Sequence, residues 1–138
     1  MDGQATMAPE AVAPVLAAHD VAVAYLFGSR AEGRARADSD YDVAVLFRTP
    51  EPALDATVRL GADLAARVGV PVDVVDLDRA GLELRGRVAE SGRRLYSADE
   101  VRRVRFEVDA RNRWIEFRPV LAELTRSYLR RVASEGLR

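Results

Sequence analysis

The 138-residue sequence contains no cysteine, no lysine and a single histidine, His19. Without cysteine, the chain cannot form a disulfide, a thiolate zinc site or an iron–sulfur cluster, and it has no cysteine nucleophile. Without lysine, it cannot supply the phosphate-binding lysine of a P-loop, a Schiff base or a lysine general base. One histidine excludes any metal site that needs two imidazoles. The chemistry left to this chain uses carboxylates, hydroxyls, arginines and backbone amides.

Charge is nearly balanced, because the chain contains 21 arginines and 22 acidic residues, which give a net charge of -1. This balance gives no overall bias toward nucleic acid or an anionic membrane, and we expect neither as a partner. The positive charge is concentrated near the C-terminus, where residues 101–138 contain 10 arginines and 5 acidic residues. No apolar run is long enough to span a bilayer and no signal peptide is visible, so we expect a soluble cytoplasmic protein.

Apolar spacing predicts alternating helices and strands followed by a long helical tail. The predicted order is a helix over 8–19, strands over 21–27 and 41–47, a helix over 53–68, a strand over 70–77, a helix over 79–91 and a short strand over 94–96. The first helix starts or kinks at Pro14, and the tail is kinked or split at Pro119. The pattern indicates one α/β domain, with a core at 1–97 and a C-terminal helical extension of the same domain at 98–138.

Two aspartates, Asp40 and Asp42, stand at the start of the second predicted strand. Side chains two residues apart in an extended segment leave the same face, about 6 to 7 Å apart along the strand. On an otherwise apolar strand, two such charges cost free energy unless a cation or an arginine neutralises them. Hard oxygen ligands of this kind suit Mg2+ or Mn2+ bound together with phosphates.

A third carboxylate is available on the strand predicted over 70–77, which contains both Asp73 and Asp76. If this strand lies beside that of Asp42, Asp73 faces the same side as Asp42 and Asp76 points away. Three carboxylates can hold two metal ions that activate an attacking oxygen and neutralise a leaving pyrophosphate. The sequence alone leaves open whether Asp73 or Asp76 completes the site.

The turn after the first strand contains Gly28, Ser29 and Arg30. Gly28 permits a close approach of the backbone, and the Ser29 hydroxyl and the amides after it are donors for phosphates. Arg30 can add a charge-assisted contact to the same nucleotide.

Gly28-Ser29, followed after ten residues by Asp40-x-Asp42 and on a later strand by Asp73, resembles the DNA polymerase beta-like nucleotidyltransferase superfamily. The resemblance is to its minimal nucleotidyltransferase (MNT) branch and covers about residues 20–97. The helical tail is similar to the C-terminal extension of the MntA-like antitoxins of HEPN/MNT toxin-antitoxin pairs.

The resemblance implies a small polymerase beta-like fold with a mixed sheet flanked by helices. It also implies transfer of AMP from ATP to a hydroxyl, with two Mg2+ ions or Mn2+ as cofactor and pyrophosphate as product. In the toxin-antitoxin branch the acceptor is a tyrosine of a HEPN ribonuclease toxin, which is thereby inactivated. Carried over to this chain, Asp40 and Asp42 bind both metals, and Asp73 binds the catalytic metal and takes the acceptor proton. Gly28 and Ser29 bind the triphosphate.

Two other functions stay open at this stage. One is a binding module that masks the toxin without catalysis, and the other is a nucleotidyltransferase that acts on a small molecule or an RNA end. The chain is at the minimal size, without the extra helical domain by which larger relatives hold such acceptors. We therefore favour an acceptor supplied by a partner protein.

One face of the predicted tail helix is apolar. It is formed by Trp114, Phe117, Leu121, Leu124, Tyr128 and Val132. We expect its first half to pack on the protein's own sheet. The part beyond Pro119 is a candidate surface for a helical partner or a second copy of the chain.

Overall fold

The computed structural model describes residues 7–28 and 40–136. These ranges contain α1 (Pro9–Ala18), β1 (Val21–Phe27), β2 (Tyr41–Phe47), α2 (Ala56–Val68), β3 (Val72–Asp76), α3 (Leu82–Ser91), β4 (Arg93–Ser97) and α4 (Glu100–Glu135). The strands form one sheet in the order β3-β2-β1-β4. The β2–β3 pair is parallel, whereas β1 pairs antiparallel with both β2 and β4. This mixed sheet confirms the predicted α/β fold.

The sheet lies between two helical layers, and each face of the sheet has its own apolar core. Along β2, Val43 and Val45 pack with α1 and α2 on one face. The alternate residues Ala44 and Leu46 pack with α3 and α4 on the other face. A strand buried on both faces is expected to be apolar throughout, and β2 is almost uniformly apolar. The carboxylate of Asp42 is the exception in this strand.

Both prolines inside helices are accommodated without ending the helix. The first helix begins at Pro9 and continues through Pro14, so the prediction that it starts at Pro14 is wrong. The last helix is continuous through Pro119, so the predicted split is wrong as well. A proline removes the N–H that would bond to the carbonyl four residues earlier. Those carbonyls belong to Glu10 and Ile115, which are exposed, so water can take the place of the missing donor.

The remaining elements lie where the sequence predicts them, with ends that differ by at most three residues. The division of the chain into a core at 1–97 and an extension at 98–138 stays a prediction. In the described part of the chain, no helix has both the length and the apolar character needed to cross a membrane.

The buried residues of α4 lie in its first half, and early in its second half Arg118 pairs with Glu90 of α3. Asp99 caps the helix by accepting a hydrogen bond from the N–H of Arg102 at 3.1 Å. Phe106, Ala110 and Trp114 are buried, and Trp114, the first residue of the predicted apolar face, lies against Gly86 of α3. Packing of the first half of that face on the sheet stays a prediction. Beyond these residues, Leu124, Tyr128 and Leu129 are more than half exposed, whereas Phe117, Leu121 and Val132 are half-buried.

A buried hydroxyl ties the sheet to α4. Tyr25 of β1 is 2% exposed, and its hydroxyl donates a hydrogen bond of 2.7 Å to Glu107. Arg103 also binds Glu107, at 3.1 Å. Burial and the neighbouring Glu107 carboxylate raise the pKa of Tyr25 above its usual value, so the phenol stays protonated and remains a donor.

Replacing Tyr25 by phenylalanine tests this tie. Tyr25→Phe removes the hydrogen bond but keeps the ring, which packs against Phe106 at a centroid distance of 5.8 Å. We expect the free energy of unfolding to fall by about 1 kcal/mol, because Glu107 keeps its arginine. Urea denaturation measures the change. Tyr96→Phe is the matched control and should stay within about 0.5 kcal/mol of the wild type; equal effects of the two changes would contradict the assignment.

Candidate active site

Parallel pairing of β2 and β3 places two of the predicted site residues side by side. In this register Asp42 of β2 lies directly opposite Asp73 of β3. Asp42 has the same parity as Ala44, and Asp73 the same parity as Val75, and both of these apolar residues belong to the core on the α3 and α4 face. Both carboxylates therefore leave the same face of the sheet.

The carboxylates on this face influence one another electrostatically. Asp40 is exposed just before β2, Asp42 is half-buried and Asp73 is exposed. The pKa of Asp42 is raised above its usual value, first by burial and then by the negative charges of Asp73 and Asp40. Crowded, partly desolvated carboxylates of this kind are stabilised when a cation binds between them.

Asp76 has a separate structural role on the opposite face. Its Oδ1 accepts a hydrogen bond from the backbone N–H of Asp78 at 3.0 Å, and its Oδ2 pairs with Arg79 at 2.6 Å. These contacts cap the turn that follows β3. The structure thus brings Asp73, and not Asp76, to Asp42; the catalytic role of Asp73 stays a prediction.

Gly28 lies against the carboxylate of Asp42. It follows Phe27, which pairs with Asp42 across β1 and β2. Its φ of +79° is in the left-handed region that favours glycine. A Cβ atom at this position would lie 2.5 Å from Oδ2 of Asp42, so any side chain would collide with the carboxylate. The backbone at Gly28 can therefore approach a ligand held by Asp42. Ser29 and Arg30 lie outside the described residues, and their contacts to the nucleotide stay predictions.

Whether the site fits a metal depends on its donor atoms. Within residues 7–28 and 40–136, no three aspartate, glutamate or histidine side chains are already grouped around one point as metal ligands. The oxygen atoms present are hard anionic donors, which Mg2+ prefers, and the repulsion among them favours an added positive charge. Asp40, Asp42 and Asp73 therefore fit a magnesium ion by their chemistry.

A cleft opens beside Gly28, between α3 and α4. It encloses about 440 Å³ and is lined by residues that include Gly28, Arg87, Glu90, Trp114 and Arg118. The guanidinium of Arg87 lies 5.8 Å from the centre of the Trp114 ring. Arg118 forms an ion pair of 3.0 Å with Glu90.

Sequence reasoning missed this cleft. It assigned Trp114 to packing and left Arg87 and Arg118 unassigned as site residues. No local pattern marks such a cleft, because it forms only when α3 packs on α4.

Known proteins share this architecture. A family model described as Polymerase beta, Nucleotidyltransferase, matches residues 10–101, which is more than half of the chain. A solved structure described as a proposed minimal nucleotidyltransferase is 36% identical, with a TM-score of 0.54, and the match covers 61% of this chain and 85% of that chain. No curated protein matches.

Two toxin-antitoxin structures resemble the fold over most of its length. One is a crystal structure of a toxin-antitoxin with AMP-PNP, with a TM-score of 0.67 at 24% identity, covering 85% of this chain and 98% of that chain. The other is a tri-AMPylated Shewanella oneidensis HEPN toxin in complex with an MNT antitoxin, with a TM-score of 0.62 at 23% identity, covering 85% and 95%. At these identities the likeness shows the fold alone.

Neutralising Asp42 should stabilise the protein when no divalent cation is present. Because the pKa of Asp42 is raised in the folded state, the folded protein binds this proton more tightly than the unfolded chain does. Stability therefore falls as the pH rises above about 4, the usual value for a carboxyl group. We expect Asp42→Asn to raise the melting temperature at pH 7 in a chelator.

The advantage of Asp42→Asn should shrink as the pH is lowered and Asp42 becomes protonated in the wild type. Thermal melts of both proteins across this pH range measure it. Asp55→Asn, at an exposed position outside the site, is the control and should change little. A lower melting temperature for Asp42→Asn at pH 7 would contradict the crowding of charge.

Proposed function

This chain belongs to the Polymerase beta nucleotidyltransferase family, and from that premise we propose that it transfers AMP from ATP to a tyrosine hydroxyl of a HEPN ribonuclease toxin and so acts as its antitoxin. The observation that carries the proposal is the placement of Asp42 and Asp73 on one face of the sheet, with the backbone of Gly28 against Asp42. The solved toxin-antitoxin structures with the same fold support a toxin as the partner.

The proposed reaction is a single displacement at phosphorus. The tyrosine oxygen attacks the α-phosphorus of ATP and forms a new oxygen–phosphorus bond. The bond from the α-phosphorus to the oxygen that bridges to the β-phosphorus breaks, and pyrophosphate leaves with the electron pair. The phenolic proton passes to the carboxylate of Asp73 and from there to water.

Each described site residue has a part in this reaction. Asp40 and Asp42 would hold the metal, and exposed Asp73 can meet an acceptor that arrives from solvent. The backbone of Gly28 approaches the triphosphate without a side chain in the way. Bound Mg2+ would supply the positive charge that neutralises the phosphates and the leaving pyrophosphate.

Mass spectrometry of the toxin tests the proposal. The toxin is incubated with this protein, ATP and Mg2+, and its intact mass is measured. We expect a gain of one or more AMP units with the wild type. The double variant Asp40→Ala, Asp42→Ala should slow the gain by about a hundredfold or more, because the metal ligands are lost.

Asp55→Ala, a matched exposed carboxylate outside the site, should leave transfer unchanged. An unchanged toxin mass together with a stable complex would support masking of the toxin instead. Transfer of AMP to an RNA end or a small molecule, with the toxin unmodified, would support the other alternative.

The third carboxylate can be identified by comparing two amide variants. Asp73→Asn should lower kcat/KM by about a hundredfold or more, because the proton acceptor is lost. Asp76→Asn should keep kcat/KM within about threefold, since Asp76 points to the opposite face, while lowering stability by about 1 kcal/mol through its turn contacts. Steady-state kinetics and urea denaturation measure the two effects. The reverse pattern of activity would assign the role to Asp76.

A further inference from the structure

The cleft beside Gly28 combines an apolar interior with charged, exposed residues. Among the residues that line it, Val88 is buried and Phe27 and Leu84 are half-buried, and all three belong to the apolar cluster on the α3 and α4 face of the sheet. Arg118, which also lines the cleft, is exposed. A concave, mostly apolar surface with a few polar groups is the usual form of a site for a small molecule.

One residue of the cleft carries a buried polar atom that is not satisfied. Trp114 is 4% exposed, and its indole Nε1 has no hydrogen-bond partner in the part of the chain that the structure describes. An indole N–H can only donate, and leaving it buried without an acceptor costs free energy. Because Trp114 lines the cleft, a ligand there that carries a hydrogen-bond acceptor can satisfy this N–H.

The indole ring is held in place by α3. This helix has Gly86 where Trp114 packs, and a Cβ atom at that position would collide with the Trp114 side chain. The guanidinium of Arg87 lies 5.8 Å from the centre of the ring, a distance at which a cation and an aromatic face attract each other. These two contacts restrict the ring, and with it the direction of its N–H, before a ligand binds.

The cleft lies on one side of Asp42, and Asp73 lies on the other. Phe27 and Gly28, at the end of β1, line the cleft, and Phe27 pairs with Asp42. Asp73 adjoins Asp42 from β3, across the opposite edge of β2. A nucleotide whose phosphates lie at Asp42 and Gly28 can therefore extend its base into the cleft, while the side of Asp73 stays open for the acceptor.

We propose that this cleft binds the adenine base of ATP and that Trp114 is a specificity-determining residue, which donates a hydrogen bond from its Nε1–H to a ring nitrogen of the base. The choice of ATP as the nucleotide rests on the proposed function. Adenine is flat and aromatic, and its ring nitrogens N1, N3 and N7 accept hydrogen bonds. It thus provides both an apolar surface for Leu84 and Val88 and the acceptor that Trp114 lacks.

Fluorescence of Trp114 tests the proposal, because this residue is the only tryptophan in the chain. The purified protein is titrated with ATP and Mg2+ in the absence of toxin, so that binding is measured without any transfer of AMP. We expect a saturable change in the emission of Trp114. Inorganic tripolyphosphate, which has the phosphates without the base, should leave the emission unchanged.

Analogues of ATP in which carbon replaces one ring nitrogen identify the bonded atom. Of 1-deaza-, 3-deaza- and 7-deaza-ATP, one should bind the wild type about tenfold more weakly, because one hydrogen bond is lost. Trp114→Phe should also bind ATP about tenfold more weakly, and the same analogue should cause no further loss in this variant. Calorimetry measures the dissociation constants.

Two controls accompany the variant. The affinity for tripolyphosphate should be equal in Trp114→Phe and the wild type, which checks that the variant keeps its phosphate site. Tyr128→Phe changes an exposed aromatic residue of the same helix outside the cleft and should keep the affinity for ATP. The analogue series on the wild type tests the hydrogen bond even where the variant fails to fold.

Equal responses to ATP and tripolyphosphate, or equal affinities for ATP and all three analogues, would overturn the proposal. A change in emission when toxin is added, with none when ATP is added, would also overturn it, because the cleft would then hold the acceptor. Failure of the proposed function gives a different result, in which the base still binds at Trp114 but the toxin gains no AMP.

Discussion

The parallel register between β2 and β3 is the constraint on which the candidate site depends. It places Asp42 and Asp73 side by side on one face of the sheet. A shift of β3 by one residue would turn Asp73 to the opposite face and bring Asp76 toward this one. The register is held by apolar residues on both faces, because Val43 and Val45 contact one helical layer while Ala44 and Leu46 contact the other. Burial on both faces of the sheet therefore aligns the two carboxylates on one of its faces.

The placement of Asp42 beside Asp73 lowers the stability of the folded protein. Burial of Asp42, together with the negative charges of Asp73 beside it and of Asp40 just before β2, raises the pKa of Asp42 and so costs folding free energy. The backbone of Gly28 lies against the same carboxylate, which leaves no space for a side chain at position 28. The apolar cores on both faces of the sheet offset that cost. A bound cation relieves the repulsion, so ligand binding and folding favour each other at this site.

The two halves of the last helix differ in burial. Phe106, Ala110 and Trp114 hold it against the sheet and α3. Farther along the same face, Leu124 and Tyr128 are more than half exposed among the described residues. The second half carries exposed apolar side chains, and Arg118 near its start lines the cleft between α3 and α4.

Local patterns in the sequence were enough to place the helices and strands and to select Asp40, Asp42 and Gly28, because periodicity and turn residues act over short distances. The predicted alternatives of a helix start at Pro14 and a split at Pro119 are wrong, because exposure of the freed carbonyl decides whether a helix continues, and exposure is a property of the folded molecule. Local patterns could not predict the cleft either, since Arg87 and Trp114, which line it, are far apart in the chain.

The sequence by itself determined the kind of chemistry, because the absence of cysteine and lysine left carboxylates and arginines. It also determined that Asp73 and Asp76 point to opposite faces, because strand parity is local. Only the tertiary structure decided which of them meets Asp42, since that depends on the strand order and on the register of β2 and β3. Likewise, only packing decided which part of α4 is buried. Contacts between residues distant in sequence arise from burial of the whole core, and no local pattern encodes them.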